Sequence, residues 1–220
     1  DYLIAPAWCC LPLPESLSFA AGAMLACTAG TAFAAAKKTG LSAGDRCVVI
    51  GLGPVGMTTL LMAKALGLNC IGIEMNQYRI EQARSVQDVT VIDASAGDAV
   101  KYVMDATGGR GVPAVVECSG AAIARRQAIE MTSIQGTVVL VGVGDEGVPV
   151  SPERIIRKEL TICGNAVYST SDYYRAIDLI ENGSVDLDAT VTHRFSIDRA
   201  EEAFALFDSG NSGKVIFTWE

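Results

Sequence analysis

Residues 46–56 read Arg46-Cys-Val-Val-Ile-Gly51-Leu-Gly53-Pro-Val-Gly56, and eighteen residues past Gly56 the stretch Cys70-Ile-Gly-Ile-Glu74 ends in an acid. The first stretch predicts a short apolar strand (46–51) running into glycines spaced G-x-G-x-x-G, then an Ala/Leu/Met-rich helix from Pro54 to Leu66. Gly51 is expected to turn the chain sharply off the strand. Gly53 would let backbone approach a pyrophosphate, and Gly56 would let helix pack closely on strand. Pro54 and Val55 then occupy a first helical turn whose free N–H groups and positive dipole end face the phosphates. Glu74, closing the second strand, can accept both ribose hydroxyl hydrogens of an adenosine. The unit therefore reads as a dinucleotide-binding βαβ, and Glu74 favours NAD because a 2′-phosphate would meet a carboxylate there. Arg79 pulls the other way, since arginine can serve a 2′-phosphate; it also reads as a solvated helix charge or a cover for the adenine ribose. Glu74 carries more weight.

The glycine spacing alone also occurs in methyltransferases and structural loops, so the surrounding pattern matters. After Glu74 come a polar helix (76–85), a strand near 89–92, an amphipathic helix (97–106), the turn Thr107-Gly-Gly-Arg-Gly111, and a strand at 114–118. A helix (121–131) and strands at 136–142 and 160–163 follow. This alternation predicts an α/β fold, a Rossmann-type doubly wound parallel sheet of about six strands. Beyond Tyr168 the pattern becomes helix (171–182), strand (191–195), helix (197–209) and strand (214–218).

Composition narrows the function classes. Half of the 220 residues are hydrophobic, enough for a sizeable core, and a formal charge of −8 leaves no basic stripe for nucleic acid. The seven cysteines (9, 10, 27, 47, 70, 118, 163) form no C-x-x-C pair, and those at 47, 70, 118 and 163 lie in or beside apolar strand-like runs. A reduced, cytoplasmic protein is the expectation. The uncharged run Phe19–Ala36 is mostly Ala, Gly and Thr, poor for a membrane span, and is expected as a buried helix. Asp1-Tyr-Leu-Ile has no basic leader character and reads like the middle of a longer protein.

The chain resembles the zinc-type alcohol dehydrogenases of the medium-chain dehydrogenase/reductase family along almost its whole length. The resemblance is carried in order by Leu13-Pro14, Ala20-Ala21, Cys27-Thr-Ala-Gly-Thr31-Ala, Gly44-Asp45 into the glycine motif, Glu74 with Arg79, and Gly108-Gly-Arg-Gly111 before Val-Val-Glu117-Cys-Ser-Gly120. Further on come Val141-Gly142, Glu159-Leu-Thr-Ile-Cys-Gly164, Val191-Thr-His-Arg-Phe195, and Ser209-Gly210 before Gly213-Lys214-Val. It implies hydride transfer between a primary or secondary alcohol, possible polyols and amino alcohols included, and a nicotinamide, with zinc in the full-length parent acting as a Lewis acid. It divides the chain into a remnant of the catalytic domain and connection (1–27), an NAD-binding Rossmann domain (28–165) and a C-terminal segment of the catalytic domain (166–220). It also implies that a GroES-like catalytic domain, with further zinc ligands, precedes this part in such proteins.

Residue by residue, the resemblance puts Cys27 at a catalytic zinc ligand and Thr31 near the nicotinamide. It puts Ser119, Gly120, Val141 and Val143 at strand ends flanking the adenine or nicotinamide, Asn165 at a contact to the carboxamide, and Lys214 on the pyrophosphate. Zinc needs roughly three protein ligands plus water, so Cys27 alone is not expected to retain it, and His193 reads as structural. Val86-Gln87 and Pro113 depart from the family pattern, both in expected turns. A small-molecule alcohol substrate and a homo-oligomer are implied, with neither nucleic acid nor membrane as partner. The alternative is a stand-alone dinucleotide-binding module without catalysis; a zinc-free NADPH quinone reductase is weakened by Cys27 and Glu74. Residues 45–165 are expected to form a protease-resistant core, with the apolar side chains of Leu179, Ile180, Phe195, Phe204, Leu206 and Phe207 partly exposed.

Overall fold

The computed structural model describes residues 4–86, 88–144, 147 and 150–219. Helix α1 (Phe19–Met24) starts at Ser18, whose hydroxyl accepts the Ala21 N–H, and runs through a π-helical stretch (Leu25–Ala29) into α2 (Gly30–Lys38). The combined helix is long and apolar enough to cross a membrane, yet most of it is buried within the protein. Its Ala, Gly and Thr side chains are short, which lets it lie deep in the core.

Alternation then proceeds as β1 (Arg46–Ile50), α3 (Pro54–Ala65), β2 (Asn69–Glu74), α4 (Gln77–Val86), β3 (Thr90–Asp93), α5 (Ala99–Ala106), β4 (Val112–Glu117), α6 (Ala122–Met131), β5 (Thr132–Leu140), α7 (Pro152–Lys158) and β6 (Thr161–Gly164). The six strands form one parallel sheet in the order β3-β2-β1-β4-β5-β6. This is a Rossmann-like α/β fold, and strand order reverses between β1 and β4, opening a crevice beyond their carboxyl ends. Both faces of the sheet are covered. Val49, Val116 and Val139 pack with Met57, Leu60 and Ile80 on one side; Val48, Val115 and Val138 pack with Val103, Ala128 and Met131 on the other. Burial on both faces explains why these strands read as continuous apolar runs rather than alternating ones.

The chain ends with α8 (Thr170–Glu181), β7 (Val191–Ser196), α9 (Ala200–Asp208) and β8 (Lys214–Thr218), β7 and β8 pairing in parallel as a separate two-stranded sheet. Three expectations need correction. Helix α7 was not foreseen, although Ser151 caps it, Pro152 and Glu153 open it, and Arg157 and Lys158 close it. Pro113 sits within β4 rather than in a turn, at a register shift between Val112 and Ala114 where the ladder is already interrupted. Val86 closes α4 instead of lying in a turn, and Gln87 falls outside the described residues. As expected, Leu179 and Ile180 are only partly buried, packing against the cluster of Met24, Leu25, Phe33, Met62 and Ile177 because α8 docks on the α1–α2 helix, and Phe204 and Phe207 are exposed.

Candidate functional site

At the crevice the three glycines of the first motif have distinct physical reasons. Gly51 adopts φ +82°, and a Cβ there would lie 2.8 Å from the Ser119 nitrogen. A Cβ on Gly56 would lie 1.8 Å from the Gly51 carbonyl oxygen, so only glycine lets α3 approach β1 this closely. Gly53 has ordinary extended backbone (φ −63°, ψ −175°), and a Cβ there would meet only the Arg79 guanidinium, at 3.7 Å. Its missing side chain therefore leaves open space beside the first turn of α3. Gly53 is the N-cap, Pro54 follows it, and no side chain caps that turn.

Glu74 closes β2 and turns back onto this loop. Its Oε2 accepts the Leu52 N–H at 2.7 Å, while Oε1 accepts those of Met75 at 2.8 Å and Asn76 at 3.0 Å. The carboxylate is thus buried against the glycine turn by three backbone donors. Arg79 is anchored through its backbone N–H to Asn76 Oδ1, and its buried Nε finds no hydrogen-bond partner.

Across the strand reversal, Glu117 ends β4 fully buried. Its Oε1 gathers the Ser119 N–H, the Ser119 hydroxyl and the Gly120 N–H, while Arg125 Nε lies 3.9 Å from Oε2. Arg125 also donates to the Gly142 and Gly144 carbonyls. Gly120 has φ +75°, and a Cβ on Gly142 would sit 2.0 Å from the Gly120 nitrogen, so the loops after β4 and β5 interlock. Val141 donates its N–H to Glu117 O, whereas Val143 is 93% exposed beyond the loop. Burial pushes the neighbouring Cys118 thiol up to about 12. Sequence reading assigned Glu117 no role; an acid at a strand end followed by Ser and Gly was the signal for this loop-organising carboxylate.

Asn165 meets Thr31 on the α1–α2 helix, which also carries Cys27. Asn165 takes its position from an N–H bond to Leu140 O, and its Nδ2 donates to Thr31 O at 3.1 Å; its buried Oδ1 has no partner. Val167, two residues on, holds φ +52°, a strained conformation for a β-branched residue. The Tyr168 ring lies on Gly30, where a Cβ would meet it at 2.2 Å; burial raises the Tyr168 hydroxyl's pKa, helped by Tyr173 and Cys27. Cys27 is exposed on the π-helical stretch, an insertion frequent at functional sites. Lys214 Nζ donates to Thr28 Oγ1 at 3.3 Å, bringing the last strand to the same helix.

The arrangement fits a dinucleotide: a cradle that a Cβ on Gly53 would fill, beside it an orphaned buried Arg79 Nε, and an acid fixed to the turn. It does not fit zinc held by this chain's residues alone. Among the described residues no three His, Cys, Asp or Glu side chains cluster around Cys27 or elsewhere. His193 stands on β7, its Nδ1 2.9 Å from Thr192 Oγ1 and its ring stacked on Phe195.

The zinc-binding dehydrogenase family matches residues 54–182. A sorbitol dehydrogenase of Halalkalibacterium halodurans is 32% identical to the chain, an alcohol dehydrogenase, TADH, of Thermus sp. ATN1 superposes with a TM-score of 0.89 at 27% identity, and a dehydrogenase from Sinorhizobium meliloti 1021, described as zinc-binding and solved bound to NADP, gives 0.85 at 26%. Each match covers 94% of this chain, and the chain spans 61% of the length of each relative. The chain therefore belongs to the zinc-binding dehydrogenase family, the zinc-type alcohol dehydrogenases of the medium-chain group, and covers their cofactor-binding part.

Proposed function

We propose that this chain is the NAD-binding part of an oxidoreductase that transfers hydride between a small alcohol, a polyol or amino alcohol included, and a nicotinamide. The observation that carries the reading is the Glu74 carboxylate bonded to the Leu52 N–H, which holds an acid over the glycine turn. There it would accept ribose hydroxyls and repel a 2′-phosphate. The sorbitol dehydrogenase and alcohol dehydrogenase relatives support the substrate class.

When bound, the nicotinamide supplies the hydride acceptor or donor. In our reading the chain's own residues hold and orient it. The first turn of α3 with Gly51, Gly53, Pro54, Val55 and Gly56 takes the pyrophosphate, with Lys214 as counter-charge; Arg79 covers the adenosine. Ser119, Gly120, Val141 and Val143 form the walls, and Thr31 with Asn165 orients the carboxamide. Holding both reactants in one geometry is a large part of such catalysis. Zinc enters none of these steps, because Cys27 does not by itself make a site. A homo-oligomer built through the free edge of β6 belongs to the same proposal.

Calorimetric titration with NAD and NADP tests it. NAD should bind more tightly, and Glu74→Ala should narrow the gap by about 1–3 kcal/mol, the scale for losing a buried polar partner. NADP binding equal to or tighter than NAD by the unaltered chain would sink the Glu74 reading and make Arg79 a phosphate ligand, as the NADP-bound relative allows.

A further inference from the structure

At the opposite end of the sheet from the crevice, two cysteines face each other. Cys47 on β1 and Cys70 on β2 are register partners, and their sulfurs lie 3.1 Å apart, both as free thiols. A disulfide bond is about 2.0 Å long and joins residues at the spacing of neighbouring strands. Closing this gap needs about 1 Å of sulfur movement. Cys47 is fully buried, but Cys70 is partly open and lines a cavity of about 600 Å³ at the amino ends of the strands. Arg46, Lys64, Asn69, Asp88 and Tyr102 also line it, giving two cations against one carboxylate.

We propose that Cys70 and Cys47 form a reversible disulfide by exchange with an anionic low-molecular-weight disulfide that enters this cavity. The site lies apart from the cofactor crevice and does not depend on the dehydrogenase reading. The Cys70 thiolate attacks one sulfur of the incoming disulfide; that bond breaks, a mixed disulfide forms on Cys70, and one small thiolate leaves and takes a proton from water. Cys47 then passes its proton to water and attacks the Cys70 sulfur, and the second small thiolate leaves and is protonated in turn. The protein pair loses two electrons, and the small disulfide becomes two thiols.

The order of attack follows from the surroundings. Hydrogen bonding to Cys70 and burial both push the Cys47 thiol up, which keeps it from attacking first; the resolving step falls to it because its sulfur already lies 3.1 Å from that of Cys70. Arg46 and Lys64 favour an anionic reagent, an attraction that salt screens.

Glutathione disulfide is the probe, applied to the whole folded chain at low ionic strength, followed by alkylation under denaturing conditions and tryptic peptide mapping. Cleavage after Arg46, Lys64 and Arg79 puts the two cysteines on separate peptides, 47–64 and 65–79. The expected product is these peptides joined, with two thiols lost and recovered by dithiothreitol. Cys47→Ala should instead trap a glutathionyl adduct on 65–79. Cationic cystamine should react several-fold more slowly, the difference shrinking at high salt. Recovery of both peptides alkylated while the exposed Cys9, Cys10 and Cys27 have reacted overturns the proposal, as does a stable Cys70 adduct in the unaltered chain. Equal rates for the two reagents overturn the role given to Arg46 and Lys64.

Discussion

At the scale of single residues, Gly56 is held by close packing, whereas Gly53 borders the open space in which we propose the dinucleotide sits. On Gly56 a Cβ would strike the Gly51 carbonyl at 1.8 Å, backbone against backbone, and neither atom can rotate away. Gly56→Ala should therefore destabilise the fold by about 1–3 kcal/mol, the cost of overpacking, measured by urea denaturation. On Gly53 the same methyl meets only Arg79, at ordinary contact distance, and the backbone is already one that alanine adopts. Gly53→Ala should leave the urea midpoint nearly unchanged and weaken NAD binding at least tenfold. Equal loss of stability in both variants would contradict this division of roles.

Among the elements, α8 shows how a helix of the C-terminal segment is fastened to the body that carries the six-stranded sheet. Ser169 and Asp172 form a reciprocal capping box, and Asp172 Oδ1 also accepts Lys37 Nζ of α2 at 2.8 Å. Burial pushes the Asp172 carboxyl upward, but the bonds from Lys37 and Ser169 outweigh it and hold it below its usual value. A depressed folded-state value stabilises above the unfolded value near ~4, and that contribution is lost as pH falls through the lower folded value. Asp172→Asn should cost about 1 kcal/mol at pH 7, because it removes the charge paired with Lys37 and leaves the Ser169 cap in place. Urea titrations at pH 7 and pH 3 should show the gap from the unaltered chain shrinking in acid; a gap independent of pH would count against an ionised Asp172.

Considered as a whole molecule, the chain has one well-covered body and a thinly attached end. Residues from α1–α2 and α8 share a core cluster with Cys47, Leu61 and Met62, so the expected resistant core of 45–165 is too narrow. Helix α9 buries only Ala203, while Phe204 is 63%, Phe207 40% and Trp219 73% exposed. Limited trypsin digestion should cut first at the exposed Arg194 and Arg199, leaving a core that ends at Arg194 and binds NAD more weakly than the whole chain because Lys214 is lost. The exposed aromatic patch should also drive association that rises with concentration. Sedimentation velocity of a Phe204→Ser, Phe207→Ser variant should show that association reduced; unchanged association would place the contact elsewhere.

The amino-acid sequence by itself determined the parallel α/β sheet, the glycine turn and the acid at the end of β2. These rest on local rules: strands covered on both faces must be apolar throughout, and a G-x-G-x-x-G turn needs its glycines within a few residues of one another. Helix α7 carried a start signal in Ser151-Pro152-Glu153 that the sequence reading passed over, because seven residues are too few for a clear periodic pattern. Tertiary structure alone decided the rest. That Glu117 organises the β4 loop, that Asn165 reaches Thr31, that Cys47 faces Cys70 and that α8 docks on α2 are contacts between residues 2 to 135 positions apart. Most of them depend on strand register and helix docking, which no local pattern encodes, because the free energy that selects them comes from burying whole faces together.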